Sequence, residues 1–229
     1  MVTATDERYE NYAPIMFKSF AKFNEGVELY CVEKNISERM KESLGRIGVK
    51  LIEYNEPEGF DITNFSIRIA PYLENIDYNK AMWMDVDALV TGDIRETFDF
   101  DEEFVAIPKH LGKTWEYMQD NGEPSIAMGT WIATKEAVNR MHNVAMSADT
   151  VLEGTILRAN SKKFKIRVLD GEKYACCREM TDRLEFDSGR LCFHKWGKKQ
   201  YPKVIHFSNM NFNFKPSMGV CSQWVAENL

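Results

Sequence analysis

Two carboxylates separated by one residue, Asp85-Val86-Asp87, follow directly on the apolar run Ala81-Met-Trp-Met84. Residues two apart in extended chain point the same way, so both side chains can converge on one cation. Carboxylates held that close repel each other unless a cation or a proton intervenes. A hard divalent ion with oxygen ligands, bridging to diphosphate oxygens, is the natural partner. The competing reading is a pair of turn aspartates, one capping a backbone N–H and the other solvated. Arg68 lies 17 residues before Asp85, and its planar fork suits phosphate or carboxylate recognition; the alternative is an exposed helix arginine, or one paired with a nearby aspartate. Asp149 could act as a base toward a hydroxyl, or cap the helical pattern that follows it. Glu153, one turn further on, is a second base candidate.

These residues need a scaffold, and the hydrophobic pattern supplies one. Val2-Thr-Ala-Thr5 is a short β-compatible run. Tyr9, Tyr12, Met16, Phe17, Phe20 and Phe23 recur at spacings of three and four, which predicts an amphipathic helix. Val27–Val32 reads as a buried strand. Ser37 caps a predicted helix with Met40, Leu44 and Ile47 on its apolar face, and Gly48 stops it. Val49–Glu53 is a further strand. This β-α-β-α-β alternation argues for an α/β domain with a mostly parallel sheet covered by helices. Phe65, Ile69 and Leu73 continue as a helical pattern interrupted by Pro71, and Ala81–Met84 reads as the strand that delivers Asp85 and Asp87. Strands are expected at Phe104–Ile107 and Ile126–Ala133, and a helix from Lys135 to Met146. Another helix begins at Asp149, with Leu152, Ile156 and Ala159 on one face. Beyond about residue 160 the periodicity weakens, except at Ile166–Val168 and Lys203–Phe207. In open α/β sheets, ligands bind beyond the carboxyl ends of strands, where Asp85 and Asp87 lie.

Taken in order, Phe65-Ser-Ile-Arg68, Tyr72-Leu73, Met82-Trp-Met-Asp-Val-Asp-Ala-Leu-Val90 and Gly92-Asp-Ile94 resemble the donor-site segment of GT-A glycosyltransferases. The likeness is to the glycogenin and lipopolysaccharide galactosyltransferase group. Val2–Thr5 with a downstream tyrosine looks like that group's first strand. Met128-Gly129-Thr130 stands where the group has Asn-Ser-Gly, and Asp149 where it has Asp-Gln. Val204-Ile-His206-Phe207 with Lys215-Pro216 resembles its late His-Phe motif. The resemblance implies a Rossmann-like GT-A fold with a mostly parallel mixed sheet. It also implies a nucleotide-sugar donor, UDP-sugar before GDP-sugar, and a glycan or glycoprotein acceptor. Asp85, Asp87 and His206 would then hold Mn²⁺, or Mg²⁺, since an imidazole beside two carboxylates favours manganese over calcium; Asp85 could instead meet the ribose through a water, and His206 could instead be a core histidine satisfied by backbone. Thr3, Ala4 and Thr5 would meet the base through their backbone, with Tyr9 or Tyr12 stacking on it. Val86 would lie against the donor, and Arg68 and Lys215 would face its diphosphate. The pattern departs from the group's at Asn209, often glycine there, and at Thr150, where glutamine is usual. Three extra residues also separate His206 from Lys215-Pro216.

With 229 residues, 44% of them apolar and 28% charged, the chain is expected to form one soluble domain. Residues 1–94 form its donor half; residues 95–229 form the acceptor half and a C-terminal metal- and diphosphate-binding segment. A formal charge of −6 disfavours nucleic acid as a partner. No run approaches the roughly 18 apolar residues of a membrane span. Cys31, Cys176, Cys177, Cys192 and Cys221 include no CxxC pair, so they read as reduced thiols of a cytoplasmic protein. Two basic runs, Lys162–Arg167 and Lys195–Lys199, could meet an anionic acceptor or a membrane surface, but read first as solvated faces. Trp115, Tyr117 and Trp196 could stack on sugar rings, or simply pack. A haloacid-dehalogenase-like phosphatase also sets D-x-D after a strand, but there the motif lies near the N-terminus. A sugar-nucleotide pyrophosphorylase would need a glycine-rich loop where Thr3-Ala-Thr-Asp6 stands. A non-catalytic nucleotide-sugar-binding domain would share every donor residue.

Overall fold

The computed structural model describes residues 1–55, 65–108, 126–148, 153–174, 184–195, 197–207 and 217–229. Its centre is a seven-stranded sheet. The strands in chain order are β1 (Val2–Asp6), β2 (Tyr30–Lys34), β3 (Lys50–Glu53), β4 (Lys80–Met84), then, after a short β5 (Ala88–Val90) that lies elsewhere, β6 (Phe104–Pro108), β7 (Ile126–Thr134) and β8 (Ile166–Val168). They lie in the order β3-β2-β1-β4-β7-β6-β8. The β4–β7 and β6–β7 pairs are antiparallel, and the other pairs are parallel. The sheet is therefore mixed and mostly parallel, as the alternation of elements predicts.

Each face of the sheet carries its own core, because alternate side chains along a strand point to opposite sides. Met82 and Met84 of β4 join one core with Phe17 and Phe20 of α1 (Ala13–Phe23) and Leu44 of α2 (Glu38–Arg46). Trp83, between them, joins the other with Trp131, Phe104 and Met141 of α3 (Lys135–Met146). Ile156 and Leu157 of α4 (Glu153–Ala159) complete that second core. As its sequence position suggests, Ser37 caps α2, its hydroxyl accepting the Met40 N–H at 3.3 Å. Gly48, beyond the helix, sits at φ +86°, where a side chain would be strained.

Several boundaries differ from the sequence reading for identifiable reasons. Tyr9 and Tyr12 lie in turns, and the helix starts only at Ala13, with Pro14 in its first turn. Asp6 organises that preceding loop, its carboxylate accepting the Arg8 N–H at 3.0 Å and the Arg8 guanidinium at 2.5 Å. The second strand begins at Tyr30 and not Val27, because its pairing starts at Val2↔Tyr30. Phe65, Ile69 and Leu73 do not lie on one α-helix. Two 3-10 turns, Ser66–Arg68 and Ala70–Leu73, replace it, since Pro71 cannot donate the backbone hydrogen bond a continuous helix requires.

The C-terminal third adds elements with no clear sequence period: α5 (Gly171–Tyr174), the antiparallel trio β9 (Glu185–Asp187), β10 (Arg190–Lys195) and β11 (Lys198–Gln200), and α6 (Ser217–Asn228); β12 (Val204–His206) falls within the patterned run Lys203–Phe207. β12 pairs antiparallel with β5, with His206 opposite Ala88. Leu89, Ile205, Phe207, Leu191, Phe193 and Trp224 close a third core around this pair. Glu96 ties down the chain entering β12: it binds Lys203 at 2.7 Å, Lys173 at 3.0 Å and the Tyr174 hydroxyl. Those partners, Lys203 foremost, hold its carboxyl down at about 2.

Cys31, Cys192 and Cys221 are buried free thiols, and Cys176 and Cys177 lie outside the described residues. In the first basic run, Arg167 pairs with Glu102 at 3.0 Å. In the second, Lys199 pairs with Asp187 at 2.8 Å. Trp115, Tyr117 and Trp196 fall outside the described residues. No helix among the described residues is long and apolar enough to cross a membrane.

Candidate active site

The strand order β3-β2-β1-β4 contains a switch point, since β1 has its sequence neighbour on one side and β4 on the other. Crevices in α/β sheets open at such points, beyond the carboxyl ends of the strands. β1 follows β2 along all five residues, Val2 to Asp6, but registers with β4 only at Val2↔Trp83. Asp85 stands at the end of β4 on the edge of this opening.

Three side chains converge there. His206 Nε2 lies 3.1 Å from Asp85 Oδ2 and 3.1 Å from Asp87 Oδ1. One ligand atom from each residue falls within 4.8 Å of the others, and among the described residues this is the group of His, Cys, Asp and Glu able to hold a metal ion. The backbone fixes each member. The Asp85 N–H donates to the Gly129 carbonyl at 2.7 Å, and the Asp87 carbonyl accepts the Phe207 N–H at 3.1 Å. The Trp83 indole donates to Asp85 Oδ1 at 2.7 Å, leaving Oδ2 toward the imidazole. Burial alone would lower the His206 pKa, but Asp85 and Asp87 together raise it to about 10.

Gly129 makes room for this imidazole. A β-carbon at that position would lie 2.6 Å from His206 Nδ1 and 2.7 Å from Nε2, and closer still to Cε1. The residue types fit a divalent metal: two carboxylates, one imidazole, and a cradle kept open for the ring.

Beside the cluster lies a cavity of about 350 Å³, lined by Asn11 and Tyr12 from the turn before α1 and Ile15 from its first turn, Val86 from the acidic motif, Ala88 from β5, and Cys221 and Val225 from α6. Tyr12, of the two tyrosines the sequence offered, lines this cavity. Tyr9 does not; it is 39% exposed, with the Arg8 guanidinium 5.6 Å from its ring centre. Thr3 and Thr5 are buried within β1. Asn11, Ile15 and the α6 wall escape sequence reasoning.

On the other flank, Glu153 opens α4 and accepts the Ile67 N–H at 3.3 Å. Burial first, and the Asp85 charge second, push its carboxyl up to about 7 against the N–H groups of Ser66 and Ile67. Arg68, next in chain, is 5% exposed. Burial lowers its pKa, while Glu153 and then Tyr54 raise it. Charge thus couples Arg68 to Glu153, and Glu153 to Asp85. Asp149 and Lys215 lie outside the described residues.

A buried acid whose pKa is raised favours its neutral form. Its folded-state advantage is present below the unfolded value near 4.5 and is lost as pH rises through about 7. Ionised Glu153 therefore costs about 3 kcal/mol above that pH. Glu153→Gln should narrow the fall in stability between pH 5 and pH 8.5, measured by urea unfolding at each pH. An identical pH profile in the variant would contradict this environment for Glu153.

Solved structures share this architecture. The galactosyltransferase LgtC, solved with donor and acceptor sugar analogues, matches with a TM-score of 0.69 and 14% identity, over 99% of this chain and 95% of that one. GlyE of Streptococcus pneumoniae TIGR4, a glycosyltransferase, matches with a TM-score of 0.67 and 15% identity, over 98% of this chain and 59% of that one. The bifunctional glycosyltransferase WbbM matches with a TM-score of 0.64 and 15% identity, over 92% of this chain and 45% of that one. The chain therefore spans about half the length of the latter two. No family model matches the sequence, and no curated protein sequence matches it. The fold is the GT-A fold of these glycosyltransferases.

Proposed function

We propose that this chain is a metal-dependent glycosyltransferase that moves a sugar from a nucleoside-diphosphate sugar, UDP-sugar before GDP-sugar, to a hydroxyl of a glycan or glycoconjugate. The observation that carries this reading is the convergence of Asp85, Asp87 and His206 at the carboxyl end of β4, beside a cavity sized for a nucleoside. Asp85, Asp87 and His206 would hold Mn²⁺, with Mg²⁺ as substitute. Such an ion supplies Lewis-acid neutralisation of the charge that develops on a diphosphate leaving group.

The chain's own residues do the rest. Tyr12 and Val86 would offer flat and apolar surface to the base, and the backbone of Thr3, Ala4 and Thr5 would meet its polar edge. Arg68 attracts the anionic part of the donor and holds Glu153 by charge. Glu153, poised near neutral pH, fits a residue that accepts or returns a proton at the reacting hydroxyl. Asp149 is the other candidate for that role, and Lys215 a second cation for the diphosphate. Residues 1–94 form the donor half, with the acceptor half and the His206-bearing segment in residues 95–229. Free buried thiols accord with a reducing, cytoplasmic setting.

The test is a thermal-shift screen of nucleotide sugars with and without Mn²⁺. Ligand at about a hundred times its Kd should stabilise the folded state by about 2.7 kcal/mol. A metal-dependent shift with one UDP-sugar, followed by UDP release on adding acceptor glycans, is the expected result. Release of phosphate from simple phosphoesters, with no response to any nucleotide sugar, would overturn the proposal.

A further inference from the structure

A second cavity, of about 380 Å³, opens beyond the end of β3, between the two 3-10 turns and the last turns of α3. Its wall is aromatic. Tyr54 and Tyr72 stack with planes 13° apart and centroids at 5.7 Å, and Phe65 meets both rings edge-on. Polar groups interrupt that wall at a few points. Asn75 stands exposed at the rim, and the Tyr72 hydroxyl donates to the Asn55 carbonyl at 2.9 Å. Arg68 lines the cavity and, through Glu153, stands in electrostatic contact with Asp85.

His142 gives the second indication of a ligand. Its Nδ1 is buried and makes no hydrogen bond among the described residues, although the ring lines the cavity. Burial lowers the pKa of the ring, the Arg68 charge lowers it further, and a hydrogen bond to the Arg68 backbone opposes both. A neutral ring that donates to that backbone keeps Nδ1 as an acceptor. An orphan acceptor of this kind is costly unless a donor reaches it, and a turn of the ring toward the cavity it lines would present Nδ1 to a ligand hydroxyl.

We infer that this cavity is a saccharide subsite that seats a ring of the acceptor glycan against the Tyr54–Tyr72 wall, with its hydroxyls toward Asn75 and His142. The chemistry on both sides agrees. A pyranose presents an apolar C–H face and a rim of hydroxyls, while the cavity presents stacked rings and scattered donors and acceptors. The subsite is lined by Arg68 and shares no residue with the cavity lined by Tyr12 and Val86. Its wall comes mainly from Tyr54, Phe65 and Tyr72, so the acceptor would reach into the half that also carries the donor residues, with Arg68 between the subsite and the diphosphate. The inference rests on the glycosyltransferase reading for the word acceptor, but the saccharide subsite itself can be tested without it.

The experiment titrates the full chain, labelled with ¹⁵N, with methyl glucoside, methyl galactoside and methyl N-acetylglucosaminide, and separately with UDP and Mn²⁺. At least one glycoside should shift the amides of Asn55, Tyr72, Asn75 and His142 and leave those of Val86, Ala88 and His206 in place. Asn75→Trp, an exposed rim position, should fill the cavity without touching a core and abolish those shifts. Tyr72→Ala should weaken them about tenfold, and raise the KM for any working acceptor about tenfold while the donor KM stays unchanged. Glycoside shifts that centre elsewhere, that are absent for all three sugars, or that persist in Asn75→Trp would overturn the subsite. Loss of the UDP and Mn²⁺ response alone would instead overturn the donor reading and leave the saccharide subsite standing.

Discussion

Asp87→Ala should abolish Mn²⁺ binding and lower sugar transfer by about a thousandfold or more, equivalent to about 4 kcal/mol of transition-state stabilisation. The substitution is selective because the two parts of Asp87 do different work. Its carbonyl holds the Phe207 N–H, a bond that alanine retains. Its carboxylate lies 3.1 Å from His206 Nε2 and is 18% exposed, so the ligand is removed without opening a core. Metal-free protein should respond too. Asp87 is one of the two carboxylates that raise the His206 pKa, and a buried imidazolium with one partner fewer is less stable. In chelator, the variant should therefore unfold at lower temperature than the parent. Adding Mn²⁺ should stabilise the parent alone, with calorimetric titration reading the lost affinity. A variant that still binds Mn²⁺ with parental affinity would exclude Asp87 as a ligand.

How much of this centre the sequence discloses depends on the range of each interaction. Asp85 and Asp87 are legible because a two-residue spacing after an apolar strand has one geometric meaning. His206 stands 119 residues from Asp87, so no local pattern joins them; only the likeness to a known family did. β5 has three residues, and its pairing with β12 depends on contacts that close after a long excursion. The α6 wall of the first cavity escaped for a different reason. Cys221, Trp224 and Val225 share one helix face, but Met218, Val220 and Ala226 spread apolar residues over the others in the sequence and blur the period. Glu153 and Asp149 were both legible as acids near a helix start. Burial, which decides the proton affinity of Glu153, is a tertiary property that no spacing reveals. The Phe65–Leu73 segment had a helical period, yet Pro71 split it into two tight turns. Those turns are what bring Arg68 and the Ile67 N–H to Glu153.

Gly129→Ala should cost about a hundredfold in metal affinity and in transfer, although residue 129 supplies no ligand atom. Its backbone is not in the left-handed region that favours glycine, so the need for glycine is one of space. The added methyl would meet the imidazole at 2.6 Å from Nδ1 and 2.7 Å from Nε2, well inside van der Waals contact. Neither side yields cheaply. Gly129 is pinned by its carbonyl, which accepts the Asp85 N–H at 2.7 Å, and His206 by the register of β12 on β5. The ring, 12% exposed, has one way out: to swing off Asp85 and Asp87. Disturbing the orientation of a metal-site imidazole typically lowers affinity by about 10- to 100-fold, and overpacking adds about 1–3 kcal/mol of destabilisation. A general loss of stability would mimic the fall in activity, so the decisive measurement is a double-mutant cycle with His206→Ala, read by Mn²⁺ affinity. If glycine acts through the ring, adding Gly129→Ala to His206→Ala should change almost nothing, because the side chain it displaces is already gone. Losses that simply add would mean that Gly129 serves the strand and not the histidine.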